Sequence, residues 1–396
     1  MNKVIDEGIK NINRYESKPN LTKNDIKKAI DHVLAKIDQN LDKYTNKFPT
    51  ASSKDLVYGE LDNVDWTASF FTGMLWLAYE VTEDEKYKNV AKIHIQSFKE
   101  RLEKRIQLDH HDLGFLYTLS CVSSYKITGD EESKEIALEA AKLLASRYYD
   151  KAEIIQAWGD LSDPTQRGRM IIDCNMNLPL LYWASDVTGD SSYKDMATKH
   201  IAQASKYLIR EDASSFHTYY MDTKTGEPLY GNTKQGYSDD SCWARGQAWG
   251  IYGFPLSYSY IKDWNLIELT KKVTNYYLNR LPEDSICYWD LIFTEKDNEE
   301  RDSSAAAIAV CGLLELIKYL PVTDEYYEYY KNASQMMLKS LITDYTTDIN
   351  SDANGLLLHG VYYKGGDCGV DESCIFGDYY YFEALVRAYK DWNKYW

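Results

Sequence analysis

Along most of the chain, apolar positions recur at helical spacing, and two kinds of helix alternate. The segment from Thr72, TGMLWLAYEVTEDEKYKNVAKIHIQSF, opens on a run that is apolar or aromatic nearly all round. It closes on an amphipathic stretch with its charges on one face. The same order recurs from Gly114 in GFLYTLSCVSSYKITGDEESKEIALEAAKLL and from Leu178 in LPLLYWASDVTGDSSYKDMATKHIAQA. A Thr-Glu-Asp or Thr-Gly-Asp turn parts the halves, and its Asp suits the N-cap of the second helix. Looser copies begin at Gly246 and Ser303, an apolar helix stands alone from Tyr379, and an amphipathic helix at Lys23–Tyr44 precedes the first unit.

Helices that are apolar all round belong inside a fold, and amphipathic ones belong outside. Six helices of each kind predict an all-α (α/α)6 barrel, six inner helices ringed by six outer ones. An open solenoid competes, but it requires polar end caps. The last inner helix ends with the chain, which favours closure. No Pro/Gly/Ser-rich linker or low-complexity tract interrupts the pattern. Residues 1–396 are therefore expected to form one catalytic (α/α)6-barrel domain, with 1–22 as an N-terminal extension.

Inner helices in a closed ring run parallel, so the segments leading into them share one mouth. Those segments carry Asp65 and Trp66; His110, His111 and Asp112; Arg167, Arg169 and Asp173; Trp243, Arg245 and Trp249; Arg301 and Asp302; Asp371, Glu372 and Asp378. Helix N-termini point to the same place and favour anionic groups. A concave, aromatic, sparsely polar mouth describes a small-molecule site. Asp65, Asp302 and Asp378 read as readily as plain N-caps, and so does Asp112. Asp173 differs. It sits in MIIDCNMNLPLLYWAS, just before a helix start marked by Pro179. A carboxyl in such apolar company has a raised pKa unless it is paired, which suits a general acid.

Composition narrows the function further. Acidic residues number 61 against 45 basic ones, a net charge of −16. That sign argues against non-specific binding to nucleic acid or anionic membrane. It leaves room for a small anionic ligand, because a few local donors outweigh a screened global field. The N-terminus has no signal-peptide core, and no apolar run reaches membrane-spanning length. Seven cysteines without a CxxC pair read as reduced thiols of a cytoplasmic protein. The 35 Tyr, 10 Trp and 10 Phe fit either a sugar site or a Tyr-rich core, and composition alone does not choose.

No metal and no cofactor is expected. The adjacent His110 and His111 are expected to point in different directions, and HExxH is missing. NSDANG (350–355) reads as an Asx/Gly turn, since Val361 stands where an EF-hand needs its Glu. P-loop, GxGxxG and GxSxG motifs are also missing.

HHDLGF, MIIDCNMNLPLLYWASDVTGD, DDSCWARGQAWGIYGF, RDSSAAAIAVCGLLEL and GVDESCIFGDYYYFEALVRAY follow one another in that order. From about Val64 on, these strings closely resemble the unsaturated glucuronyl hydrolases, glycoside hydrolase family 88. The resemblance implies an (α/α)6 barrel. It also implies removal of a 4,5-unsaturated uronic acid from the non-reducing end of glycosaminoglycan oligosaccharides left by polysaccharide lyases. The reaction it implies is hydration of a vinyl ether, with Asp173 as general acid/base and Asp112 as its partner. Trp66, His111, Trp158, His217 in SSFHTYY, Gln235 in TKQGYSDDS, Arg245 and Trp249 match the family's substrate contacts. On that basis Arg245 and His217 are expected to offset the uronate charge.

One segment departs from relatives adapted to sulfated substrates, which carry Ser-x-x-Ser-x-Lys. Here Tyr363-Lys364-Gly365-Gly366-Asp367-Cys368 stands instead, so unsulfated disaccharides are the expected substrates. An unsaturated rhamnogalacturonyl hydrolase, a non-catalytic glycan-binding toroid and an ordinary inverting glycosidase are the alternatives. HHD and NMNLPLLYWAS favour the glucuronyl family over the first.

Overall fold

Two concentric rings of six helices form the body of the computed structural model, which describes residues 3–163 and 165–396; Met1, Asn2 and Pro164 lie outside it. In chain order the first half comprises α1 (Lys23–Asn40), α2 (Ala68–Thr82), α3 (Glu85–Glu103), α4 (113–128, π-helical at Thr118–Val122), α5 (Glu131–Ala145) and α6 (Pro179–Thr188). The second half comprises α7 (Ser191–Tyr207), α8 (Ala244–Ile261), α9 (Trp264–Leu278), α10 (Ser303–Leu316), α11 (Tyr327–Asp344) and α12 (Ile375–Tyr389). Even-numbered helices are inner and odd-numbered ones outer. Each inner helix packs on the next, and α12 packs back on α2, so the ring closes as the alternation predicts.

The apolar surface explains the layering. Phe70, Phe71, Met74, Leu75, Trp76 and Leu77 of α2 are all buried, and each such side chain stabilises the fold by roughly 1.5–3 kcal/mol. The small residues of α10 let α8 come close. A Cβ on Gly312 would lie 2.8 Å from the Ile251 backbone.

Four inner-to-outer corners share one construction. A residue at positive φ (Glu83, 60°; Gly129, 72°; Gly189, 75°; Lys262, 57°) ends the inner helix. The next residue, Asp84, Asp130, Asp190 or Asp263, accepts a backbone N–H and caps the outer helix, an interaction typically worth about 1 kcal/mol.

The outer-to-inner connections are longer and hold short strands that helical periodicity could not announce. β1 (Arg169–Ile171), β2 (Thr218–Met221) and β3 (Pro228–Asn232) form an antiparallel sheet in that order. β4 (Gly360–Tyr363) and β5 (Cys368–Glu372) form a hairpin. The N-terminal segment runs along α9, where Lys272 donates to the Val4 carbonyl and Arg280 pairs with Glu7 at 2.6 Å. Among the described residues, no helix is long and apolar enough to cross a membrane.

Candidate active site

Where the inner helices begin, a cavity of about 270 Å³ opens. It gathers Trp66, His111, Asp112, Trp158, Asp173, His217, Gln235 and Arg245 from segments scattered across the sequence. Trp249 is the expected contact that stays away. It is 1% exposed and packs between Phe115 and Tyr380 in the core below. One helical turn beyond Arg245 it faces the barrel axis, so its depth in α8 keeps it from the mouth. Ile171, Lys234, Trp243, Tyr362 and Tyr363 complete the lining. Lys234 and the two tyrosines lie on a loop and on β4, outside the helical pattern that locates the mouth.

Asp173 sits in a 3-10 turn, Ile172–Met176, that leads into α6 with Pro179 in the first turn. Two glycines make room for this turn. A Cβ on Gly114 would lie 2.3 Å from Asn177 Cα, and one on Gly253 would lie 2.3 Å from Asn175 Cβ. Asn177 then ties the two aspartates together. Its Oδ1 accepts from Phe115 N at 2.7 Å, and its Nδ2 donates to the Asp173 carbonyl (3.3 Å) and to Asp112 Oδ1 (3.5 Å).

The two carboxyl groups are driven apart. Burial, then the negative charge of Asp112, pushes Asp173 up to about 7, against a smaller opposing pull from Arg245. Asp173 Oδ1 is sealed from solvent with no hydrogen-bond partner among the described residues, although the residue lines the cavity. Burial pushes Asp112 up as well, but His111, His110 and Asn177 outweigh it and hold the group below the usual carboxylate range. His111 is itself pushed down to about 4 by burial. At neutral pH its Nε2, 3.4 Å from Asp112 Oδ1, therefore acts as a dipole rather than a cation.

The two histidines converge on Asp112 instead of diverging. Asp112 N donates to His110 Nδ1 (3.1 Å), which folds that ring back to 3.2 Å from Asp112 Oδ2.

The expected cations prove to be committed elsewhere. Arg245 donates to the carbonyls of Val361 (2.5 Å) and Tyr362 (2.7 Å) and stands 3.4 Å from Asp302. Its guanidinium is held between Trp243 and Phe376. It clamps β4 against the ring. His217 is pushed down to about 3, mainly by burial, and is uncharged; its Nδ1 faces Thr218 Oγ1 (2.6 Å) and its Nε2 faces Gln235 Oε1 (3.3 Å). Lys234, over the Trp158 ring at 5.1 Å, is the cavity cation with no carboxylate partner among the described residues. Trp66 is fixed by donating Nε1 to Tyr362 Oη (3.1 Å) and by stacking on Phe376.

The remaining mouth carboxylates are ties. Asp65 accepts from Thr67, Asp302 caps α10, and Glu372 accepts from Ser53, Asp55 N and Leu56 N. Lys364 pairs with Glu300 and lies 3.7 Å from Glu299.

A carboxyl with raised proton affinity beside one with lowered proton affinity, between indole walls at the mouth of an (α/α)6 ring, has the makings of an acid–base site for sugars. Comparison with known proteins agrees. The family model of Glycosyl Hydrolase Family 88 matches residues 36–393. The unsaturated chondroitin disaccharide hydrolase of Streptococcus pneumoniae is 52% identical over 100% of this chain and 99% of its own. The unsaturated glucuronyl hydrolase of Bacillus sp. GL1 is 42% identical over 93% of this chain and 98% of its own. The crystal structure of the Streptococcus agalactiae unsaturated glucuronyl hydrolase superposes with a TM-score of 0.97 at 49% identity, covering 100% of this chain and 99% of that one. The chain belongs to glycoside hydrolase family 88, as an unsaturated glucuronyl hydrolase.

Proposed function

We propose that the chain removes the 4,5-unsaturated uronate from unsulfated glycosaminoglycan disaccharides and oligosaccharides, with Asp173 as the acid and base and Asp112 as its ionised partner. The observation that carries this reading is Asp173 itself: a proton-holding carboxyl, with one oxygen unpartnered, at the wall of the cavity.

The neutral carboxyl gives its proton to C4, where the π pair of C4=C5 forms the new C–H bond. Positive charge develops at C5 and the ring oxygen. The carboxylate left on Asp173 takes a proton from water as the water oxygen bonds to C5. The resulting hemiketal opens and releases the aglycone, and Asp173 is again protonated. Asp112 stays charged throughout. It raises the proton affinity of Asp173 in the resting state and favours the cationic centre that follows. Trp66 and Trp158 supply flat walls for the sugar, and Lys234 supplies positive charge near the uronate.

A substrate with a C4=C5 bond is the product of an eliminative lyase, so the chain acts after such an enzyme. Lys364 is held by acidic neighbours and Asp367 follows three residues on, which supports preference for an unsulfated aglycone. Seven unpaired cysteines, six of them buried, support a reducing, cytoplasmic setting.

The test is the ultraviolet absorbance of the ene-carboxylate. It should disappear when the protein meets unsaturated hyaluronan or chondroitin disaccharide, and the product made in heavy water should carry deuterium at C4. Cleavage without label at C4 would overturn the hydration mechanism.

A further inference from the structure

The sheet face that continues the cavity wall carries a second set of groups suited to a sugar. Alternation in β1 puts Arg169 on the same side as Ile171, which lines the cavity. The register sets Tyr220 beside Arg169 and Tyr230 beside Tyr220, so one row crosses all three strands. The rings of Tyr220 and Tyr230 stack at 4.7 Å and 25°, and Tyr230 is 56% exposed. The opposite side of the sheet is closed, with Met170 buried and Tyr219 packed on Phe216 and Tyr207.

Arg169 is the unexplained group in this row. Its guanidinium lies over the Trp158 ring, 4.7 Å from the ring centroid. Among the described residues it has no carboxylate partner, and its Nε is buried without a hydrogen bond. Leaving a buried N–H unpaired destabilises the fold unless something binds there. The chain has acidic groups to spare, 61 against 45 basic, yet none is placed here. Arg245, by contrast, is fully engaged by β4 and Asp302.

We propose that this row is a distal subsite for the second uronate of a longer chain, Arg169 taking its carboxylate and the Tyr220–Tyr230 pair its ring face. The inference rests on the function proposed above. A glycosaminoglycan alternates uronate with hexosamine. With the unsaturated uronate at Asp173 and the hexosamine at the edge of Trp158, the next residue outward again carries a carboxylate. Guanidinium–carboxylate pairing and stacking on exposed rings are the interactions that such a residue calls for.

The experiment compares kcat/KM for unsaturated hyaluronan tetrasaccharide and disaccharide in the wild type, Arg169→Gln and Tyr230→Ala. The wild type should favour the tetrasaccharide, and less so as salt is added. The tetrasaccharide-to-disaccharide ratio should fall about ten-fold in Arg169→Gln and about three-fold in Tyr230→Ala, mostly through KM. Equal losses on both substrates would mean that Arg169 only supports Trp158, and a wild-type ratio near one would mean that there is no distal subsite; either overturns the proposal. Tyr230 is exposed, so its variant keeps the test open if Arg169→Gln folds poorly. Failure of both substrates to lose their absorbance would instead overturn the hydrolase reading and this inference with it.

Discussion

Asp173 and Asp378 are both pushed up to about 7, in each case mainly by burial, yet they stand in opposite situations. Asp378 is sealed at the start of α12, where its two oxygens accept from Tyr58 Oη, Leu356 N and Leu357 N, each at 2.9 Å. Its work is to bind the segment before β4 to the ring. Asp173 leaves Oδ1 unmatched, touches the cavity and faces an ionised neighbour. Proton affinity alone therefore does not separate a reactive acid from a structural one. Contact with a cavity that substrate can enter, beside an ionised neighbour, does. At the far end of the barrel Glu315 marks the opposite limit. Burial pushes it up too, but Arg387, Lys394 and Lys318 overcome that and hold it far below the usual range.

The comparison breaks most sharply on paired variants. Asp173→Asn should lower activity about a thousand-fold or more while the protein stays folded. Asp378→Asn should keep activity within about ten-fold per folded molecule but lose roughly 1–3 kcal/mol of stability. Ultraviolet assays beside thermal melts decide it, and an inactive Asp378→Asn with a wild-type melt would erase the distinction.

Next in size, Arg387→Met removes the one ion-pair partner of Glu383 among the described residues and the most buried partner of Glu315, which keeps Lys394 and Lys318, and should cost about 3–5 kcal/mol in urea unfolding, with the active site intact at low denaturant.

The pH dependence sharpens the role of Asp112. The proposed reaction uses protonated Asp173, so kcat/KM should fall above about pH 7. Asp112→Asn removes a charge that raises Asp173, so the descending limb of its residual activity should move to lower pH; an unmoved limb would contradict the pairing.

The last effect is on stability alone. Asp173 is raised in the folded state, so its contribution is full below its unfolded pKa of about 4 and is lost as pH climbs through 7. The melting temperature of Asp173→Asn should therefore pull ahead of the wild type across that window and level off above it.

The ring, its alternation and four of its caps follow from residues close together in the chain, which is why periodicity and turn signals announce them. Asp173 is readable for the same reason, since its apolar neighbours are sequence neighbours. The roles of Arg245, Lys364 and Trp249 are not. Whether Arg245 meets substrate or the carbonyls of Val361 and Tyr362 depends on a hairpin more than a hundred residues away. Lys364 is neutralised by Glu300 from another connection, and Trp249 is withdrawn by its depth along α8. Lys234, Tyr362 and Tyr363 reach the cavity from segments with no periodic signal, so only the assembled mouth reveals them.

The corners between inner and outer helices bear on how such a protein can change over time. At one end of the barrel, four reversals are closed in two residues each by a left-handed residue and a capping aspartate, and they leave little room for novelty. At the other end the connections at 146–178, 208–243 and 345–374 are long and carry most of the cavity lining. Inheritance can thus rewrite one rim while the opposite rim stays closed, and new sugar preferences can be tried without reopening the ring.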